Sequence, residues 1–263
     1  MTSDLAQYEL RVPAAVITIN RPDKRNALSR ALIAALAAAF RRAAGDADAR
    51  CVILTGAGSS FCAGMDLDEI RSSLGAAKEV VWDDAQKLAE LYELIYTLPK
   101  PTIAAINGHA VAGGAGLVTV CDLAIAVPEA KFGYPEVRRG LVAAMVMPHL
   151  LRHVGERMAR YLLLAGEVID ANTAAHSGLI NQVVPSDKLQ ETALAWARSI
   201  AEGGPKALAT TKDLLRQCSR QALTMEEFAH ASAEPRLGDE CREGLAAFFT
   251  KQPPPWVGKG IDR

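Results

Sequence analysis

The sequence predicts an α/β fold in which at least part of the sheet is parallel. Two strand-like runs, residues 14–20 and 50–55, flank an alanine-rich segment at 29–44 with helical composition. This strand–helix–strand order is typical of parallel strands joined by a crossover helix. Two further apolar runs, 102–106 and 121–127, enclose a glycine-rich segment that lacks charged side chains until Asp122. That composition predicts a short helix buried on all sides between two more strands.

Local signals delimit the elements in the first part of the chain. Residues 21–26 form a predicted turn, Ser29 suits the N-cap of the alanine-rich helix, and Gly45 ends that helix. Residues 71–80 are small and polar and suit a flap over a site. The following segment, 81–98, is amphipathic, with apolar residues at helical spacing: Leu88, Leu91, Tyr92 and Ile95.

The second part of the chain is mainly helical. Residues 131–136 form a short extended piece that ends in a turn. From Met147 the pattern is helical, with weak interruptions at Gly155, Gly166 and Gly178. Three helical segments are predicted after residue 205, the last at 241–250, and a proline-rich tail follows.

Composition limits the possible partners and compartments. The chain has 263 residues, half of them hydrophobic, and a formal net charge of −1 without a basic block. Nucleic acid and anionic membranes are therefore not expected partners. No apolar run approaches the ~18 residues of a membrane span, which predicts a soluble, cytoplasmic protein. Five cysteines without a CxxC pair indicate free thiols rather than a zinc site, and no metal is expected.

The glycine-rich segment at 107–122 suggests a site built from backbone amides. Gly113 and Gly114 would form a helix N-terminus, where N–H groups are unpaired and the helix dipole is positive. Tight packing alone would also explain these glycines. A second small-residue turn at 60–67 could present another amide. Two such amides form an oxyanion hole, which stabilises the negative charge that a thioester oxygen gains on enolisation.

Four stretches of the chain resemble the crotonase family, also called enoyl-CoA hydratase/isomerase. They are residues 20–28, 61–67, 107–122 and 132–136, in the family's order and separations. The resemblance implies a crotonase-like spiral of ββα units over residues 1–200. It also implies a C-terminal helical region, 201–263, used in trimer contacts, and a homotrimer or dimer of trimers. The expected partner is an acyl-CoA substrate, with no cofactor beyond the coenzyme A that the substrate carries.

The resemblance also assigns site residues. The oxyanion-hole donors would be the backbone amides of Ala63 and Gly113. Glu136, in a Phe-Gly-x-Pro-Glu context, would transfer the proton, and its apolar neighbours would raise its pKa by desolvation. Further residues are expected to bind the acyl-CoA, two of them near the C-terminus: Lys24, Ala27, Gly64, Met65, Asp66, Leu67, Gly116, Phe248 and Lys251.

One position departs from the hydratases of the family, which use two glutamates. The residue at the first position is Gly116, so Glu136 would be a single acid/base. A single carboxylate suffices for a 1,3-proton shift, which favours double-bond isomerase chemistry. Hydration of a 2-enoyl-CoA by Glu136 and ordered water remains an alternative, as does a catalytically weak acyl-CoA binder. Dienoyl isomerase activity is disfavoured because Gly116 and Ala144 stand at its other acidic positions.

Other candidates receive weaker support. Residues 52–58 resemble a strand running into G-x-G, but Phe61 replaces the third glycine of a dinucleotide-binding fingerprint. Cys62 adjoins a proposed donor, yet no histidine at a recognisable spacing would activate it. His109 is expected to be structural.

Overall fold

The computed structural model describes residues 5–73, 76–219 and 250–256, together with residues 239, 243, 246 and 247. Most of the helix predicted at 241–250 lies outside the described residues.

The described residues form a six-stranded sheet in the order β1-β2-β3-β5-β7-β10 and a four-stranded sheet in the order β4-β6-β8-β9. In both sheets most neighbours are parallel; β1–β2 and β8–β9 are antiparallel. The strands are β1 (Ala6–Arg11), β2 (Ala14–Ile19), β3 (Cys51–Gly56), β4 (Ser60–Cys62), β5 (Thr102–Ile106), β6 (His109–Val111), β7 (Leu123–Ala126), β8 (Lys131–Gly133), β9 (Val168–Asp170) and β10 (Gln182–Val183).

Helices α1, α3, α4 and α5 lie where the sequence predicted them, whereas α2 was not predicted. They are α1 (Arg30–Gly45), α2 (Leu67–Ser72), α3 (Lys78–Tyr96), α4 (Gly113–Val120), α5 (Met147–Ala165), α6 (Ala171–His176), α7 (Leu189–Ala201) and α8 (Pro205–Ser219). The Ser29 side chain caps α1 by accepting from the amide of Leu32, as predicted. Gly155 kinks α5 with a φ of +67°, and Gly166 follows its end in the left-handed conformation.

The predicted α/β class is confirmed, and the spiral of ββα units can be read from the strand order. β3, β5 and β7 of the large sheet are each followed by a short strand of the small sheet: β4, β6 and β8, respectively. β5 pairs with β3 and β7, while β6 pairs with β4 and β8, all in parallel. Successive turns of the chain therefore stack on one another.

Several short strands were not predicted from the sequence. β4 and β6 have three residues each, and such lengths carry almost no periodicity. β1 is an edge strand with mostly exposed or half-buried side chains, so it lacks the apolar signal of β2.

All eight residues of α4 are buried, as the composition predicted. A Cβ at Gly114 would lie 2.1 Å from the carbonyl oxygen of Cys62. Glycine at this position thus allows α4 to pack directly on the backbone at the end of β4.

The C-terminal region is anchored to the spiral. Lys212 of α8 pairs with Asp122 at 2.7 Å and donates to the carbonyl oxygen of Lys100. Arg50 donates to the carbonyl oxygens of Gly203 and Trp256. The predicted division at residues 200/201 falls one residue before the end of α7. It stays a prediction, as does the role of the C-terminal helices in a trimer. None of the helices in the described parts is both long and apolar enough to span a membrane.

Asn26 ties the turn before α1 to the region around β4. Its φ is +58° and its side chain is fully buried. The amide nitrogen donates to the carbonyls of Ala57 and Ser60, and the oxygen accepts from the amide of Arg21. This side chain therefore replaces backbone pairing between two loops.

We expect Asn26→Ala to lower the free energy of unfolding by about 2–4 kcal/mol, because buried backbone groups lose their partners. Urea unfolding of the variant against wild type measures this change. The matched control is Asn172→Ala, at an exposed position in α6. A loss below about 1 kcal/mol for Asn26→Ala would show that water satisfies these groups.

Candidate active site

Three segments of the site begin at the carboxyl ends of neighbouring parallel strands. Residues 63–66 follow β4, residues 112–113 follow β6, and residues 134–139 follow β8. Because β4, β6 and β8 pair side by side in parallel, these ends meet at one edge of the small sheet. Residues 66 and 134, which are 68 positions apart in the chain, thus belong to neighbouring segments.

These segments open into a cavity of about 480 Å³ between the strand ends, α1, α2, α3 and the segment 141–146 that precedes α5. Its volume suits a small organic ligand or the acyl part of a larger one. Five of the predicted site residues line it: Ala63, Met65, Leu67, Gly113 and Glu136. A second hollow of about 630 Å³, between α3 and α5, is lined by none of them.

The amide of Ala63 does not have the predicted role. It donates to the carbonyl oxygen of Arg25 at 3.0 Å and is therefore already paired. The sequence assigned the oxyanion donor to the residue before Gly64. In the structure, residues 25–28 form hydrogen bonds with this loop and one of these bonds occupies the Ala63 amide. The first unpaired amide of this loop lies one residue after Gly64.

That free amide belongs to Met65. Its neighbours are paired with Leu28, whose own amide donates to Gly64 and whose carbonyl accepts from Asp66. Within the described residues, no hydrogen bond takes up the amides of Met65 or Gly113. A Cβ built on Gly113 would lie 3.7 Å from the Met65 nitrogen, so the two amides are close together.

The backbone around Gly113 is held in an unusual conformation. Ala112, whose carbonyl belongs to the same peptide as the Gly113 amide, has φ +51° and ψ −127°. This region is strained for a residue with a side chain. The amide of Ala112 donates to the carbonyl of Gly133 at 2.8 Å, which anchors the turn to β8. The strain therefore sets the direction of the Gly113 amide at the N-terminus of α4.

Gly64 makes room for this arrangement. Its φ is +89°, and a Cβ there would lie 2.7 Å from the Ala112 Cβ and 3.2 Å from the Gly113 nitrogen. A side chain at position 64 would thus push the two turns apart. Gly64 does not line the cavity itself, but it allows the amides of Met65 and Gly113 to converge.

Glu136 lies on the turn that follows β8, as the sequence predicted. Its Oε2 is buried and has no hydrogen-bond partner within the described residues. Burial raises the pKa of this carboxyl, opposed by its own backbone amide and by the guanidinium of Arg139. A carboxyl with a raised pKa and an unpaired oxygen can both accept and return a proton.

The other carboxylates that line the described cavity are committed to Arg30. Asp84 accepts two hydrogen bonds from the Arg30 guanidinium at 2.5 Å each, and Glu69 accepts one from the Arg30 backbone amide at 2.9 Å. These contacts tie α1 to α2 and α3. Glu136 is therefore the carboxylate of the cavity that is free for chemistry.

Several predicted binding residues have structural partners instead. The Asp66 carboxylate, which caps α2, pairs with Arg21 at 2.6 Å. Lys24 pairs with Asp68 at 3.1 Å, and Ala27 accepts from Arg21. Neither these residues nor Lys251, which is exposed, lines the cavity. Their predicted contacts with acyl-CoA stay predictions, and Phe248 lies outside the described residues.

Cys62 is no candidate for a nucleophile. Its side chain is fully buried, and burial raises the pKa of the thiol to about 12. The thiolate, which is the reactive form, is therefore hardly populated at neutral pH.

Comparison with known proteins identifies the family of this chain. A sequence model described as enoyl-CoA hydratase/isomerase matches residues 12–259. The chain belongs to the enoyl-CoA hydratase/isomerase family. A Thermus thermophilus protein, provisionally named enoyl-CoA hydratase, is 40% identical over 91% of this chain and 96% of its own length. The 2,3-dehydroadipyl-CoA hydratase of Escherichia coli is 34% identical over 93% of this chain and 95% of its own length.

Solved structures show the same crotonase fold. An enoyl-CoA hydratase/isomerase from Marinobacter aquaeolei superposes with a TM-score of 0.90 at 33% identity, covering 97% of this chain and all of that one. The crotonase fold inferred from the four motifs is thus confirmed.

In this crotonase, the space beside Gly116 is filled. A Cβ at Gly116 would lie 2.4 Å from the hydroxyl oxygen of Tyr92 and 2.7 Å from Cγ1 of Val146. Gly116 itself does not line the cavity, whereas Tyr92 and Val146 do. The sequence identified Tyr92 only as part of the apolar face of α3. A phenol on an otherwise aliphatic helix face was the signal that could have marked it.

We expect Arg139→Gln to raise the pKa of Glu136 further, because the guanidinium favours the charged carboxylate. Carboxyl-carbon NMR titration of the two proteins would measure the shift directly. Arg138→Gln is the matched control, since Arg138 pairs with Glu167 and is not part of the cavity wall. An unchanged pKa in Arg139→Gln would mean that solvent screens this interaction.

Proposed function

We propose that this protein moves a carbon–carbon double bond in an unsaturated acyl-CoA thioester, with Glu136 as the single acid/base. The observation that carries the proposal is the buried, unpaired oxygen of Glu136 in the same cavity as the free amides of Met65 and Gly113. A basic group and a site for negative charge are what deprotonation next to a carbonyl requires.

The two amides would bind the thioester oxygen. They come from separate turns, and neither has another partner within the described part of the chain. The N-terminus of α4 adds positive potential at Gly113. Donors fixed by the backbone need no reorganisation when the oxygen becomes negative, so they stabilise the enolate more than the starting thioester.

The proton shift then has two balanced steps. The carboxylate of Glu136 takes a proton from C2 of a 3-enoyl thioester, and the C–H electron pair moves onto the thioester oxygen as a dienolate. The electrons then return, the C2=C3 bond forms, and C4 takes the proton from Glu136. The product is the 2-enoyl thioester, and Glu136 is again a carboxylate.

The walls of the cavity fit an acyl chain with a charged head outside. The lining includes the apolar side chains of Leu141, Met145 and Val146, while Arg25 and Lys87 contribute positive charge. Cationic side chains of this kind suit the phosphates of coenzyme A. We further propose the predicted homotrimer or dimer of trimers, which light scattering of the purified protein would test.

Hydration of a 2-enoyl-CoA is the second candidate, because the named relatives above are hydratases. This reaction needs an activated water in addition to a proton donor. With Glu69 and Asp84 held by Arg30, Glu136 and an ordered water would have to share both tasks. A purely binding role would leave Glu136 without a function.

We expect Glu136→Gln to reduce kcat for 3-enoyl-CoA isomerisation by roughly 10³-fold, because the amide can neither accept nor return the proton. Absorbance of the conjugated 2-enoyl product follows the reaction. Glu129→Gln, at an exposed position, is the matched control and should keep full activity. Undiminished activity of Glu136→Gln would remove Glu136 from the mechanism.

In wild type, we expect kcat/KM to fall as the pH is lowered through the raised pKa of Glu136, because protonation removes the base. A pH profile checks that the acidic limb lies above the usual range of a glutamate. A flat profile down to the unperturbed pKa would contradict a base in this environment.

We expect binding of a saturated acyl-CoA to shift the amide proton resonances of Met65 and Gly113 downfield, and that of Ala63 much less. Nitrogen-15 NMR spectra with the acyl thioester measure these shifts. The matched ligand is the thioether of the same chain length, which lacks the carbonyl oxygen. Equal shifts with both ligands would show that the amides do not bind that oxygen.

A further inference from the structure

Tyr92 connects the buried face of α3 to the first turn of α4. Its side chain is buried, and its hydroxyl donates to the carbonyl oxygen of Gly113 at 2.8 Å. The same residue lines the cavity together with Glu136. The phenol therefore contacts the residue whose amide is the proposed oxyanion donor.

Tyr92 stays neutral in this position. Burial raises its pKa well above the usual value, and the nearby groups Cys62, Tyr134 and Glu136 add to the effect. A permanently protonated hydroxyl can hold a hydrogen bond to Gly113, but it cannot act as a base. Tyr92 therefore cannot serve as a second base beside Glu136.

The ring of Tyr92 also occupies the space over α4. Tyr92 and a side chain at position 116 exclude each other, since a Cβ at Gly116 would lie 2.4 Å from the phenol oxygen and 2.8 Å from the ring carbon Cζ. Cγ1 of Val146 would lie 2.7 Å from the same Cβ. Gly116 therefore packs closely against Tyr92, and no open space for a side chain lies beside it.

We propose that Tyr92 is a positioning and specificity-determining residue: its hydroxyl fixes the Gly113 turn, and its ring keeps water and a second acidic group away from the cavity wall above α4. This inference rests on the proposed function, because it explains why Glu136 returns its proton to carbon. Without space for water at this wall, no water adds to C3 of the 2-enoyl thioester once Glu136 has returned its proton to C4.

The hydroxyl is tested by Tyr92→Phe, which keeps the ring. We expect kcat for isomerisation to fall about tenfold with KM within about twofold, because one hydrogen bond to the turn is lost. The acidic limb of the pH profile should not move. Tyr96→Phe is the matched control, since that hydroxyl contacts Ser219 outside the cavity and its loss should change nothing. Unchanged kcat, or a change in KM alone, would overturn the positioning role.

The ring is tested by Tyr92→Leu, alone and with Gly116→Glu. Leucine vacates the space near Gly116, so we expect the share of hydrated product from a 2-enoyl-CoA to rise about tenfold, and further in the double variant. Gly116→Glu alone should gain no hydration, because Tyr92 and Val146 block the new side chain. An unchanged hydrated share in a folded Tyr92→Leu variant would overturn the role of the ring.

Failure of the proposed function would be seen separately. It would appear as a wild type without isomerase activity, or as an active Glu136→Gln variant, whatever Tyr92 does. The positioning role keeps an independent readout in the free protein. Tyr92→Phe should shift the Gly113 amide resonance, and an unshifted resonance would overturn it.

Discussion

The site depends on the parallel pairing of three very short strands, β4, β6 and β8. Each contributes only three residues, yet their register decides where three distant loops end. Parallel strands release their carboxyl ends at one edge, so the amides after β4 and β6 and the carboxyl after β8 converge there. The larger sheet supports this arrangement, because each short strand is preceded by one of its buried strands.

Small residues allow the turns to come close enough for chemistry. Gly114 lets α4 pack on the last residue of β4, and Gly64 leaves space beside Ala112. The strained backbone of Ala112 is held by a hydrogen bond to β8 on one side and by buried helix packing on the other. The free energy of this packing therefore maintains a conformation that would be unfavourable in isolation, and that conformation directs the Gly113 amide.

The carboxylates around the cavity differ in whether an arginine side chain pairs with them. Arg21 neutralises Asp66, and Arg30 holds Asp84, so these carboxylates stabilise the loops and helices that enclose the cavity. Glu136 has no such ion pair: its Oε2 is buried without a hydrogen-bond partner within the described residues, and burial raises its pKa. Helix α3 adds the phenol of Tyr92, which stays neutral. The site thus combines one group that can move a proton with a set of fixed dipoles.

The sequence by itself determined the α/β class, the helix capped by Ser29, the buried α4 and the position of Glu136, because periodicity, capping and motif spacing are local properties. Only the tertiary structure decided which amide after β4 is free. Ala63 is paired with Arg25, a residue 38 positions earlier in the chain, so Met65 carries the open donor. The structure likewise showed that Tyr92 fills the space beside Gly116. Both outcomes depend on which segments pack together, and no local pattern of residues encodes those contacts.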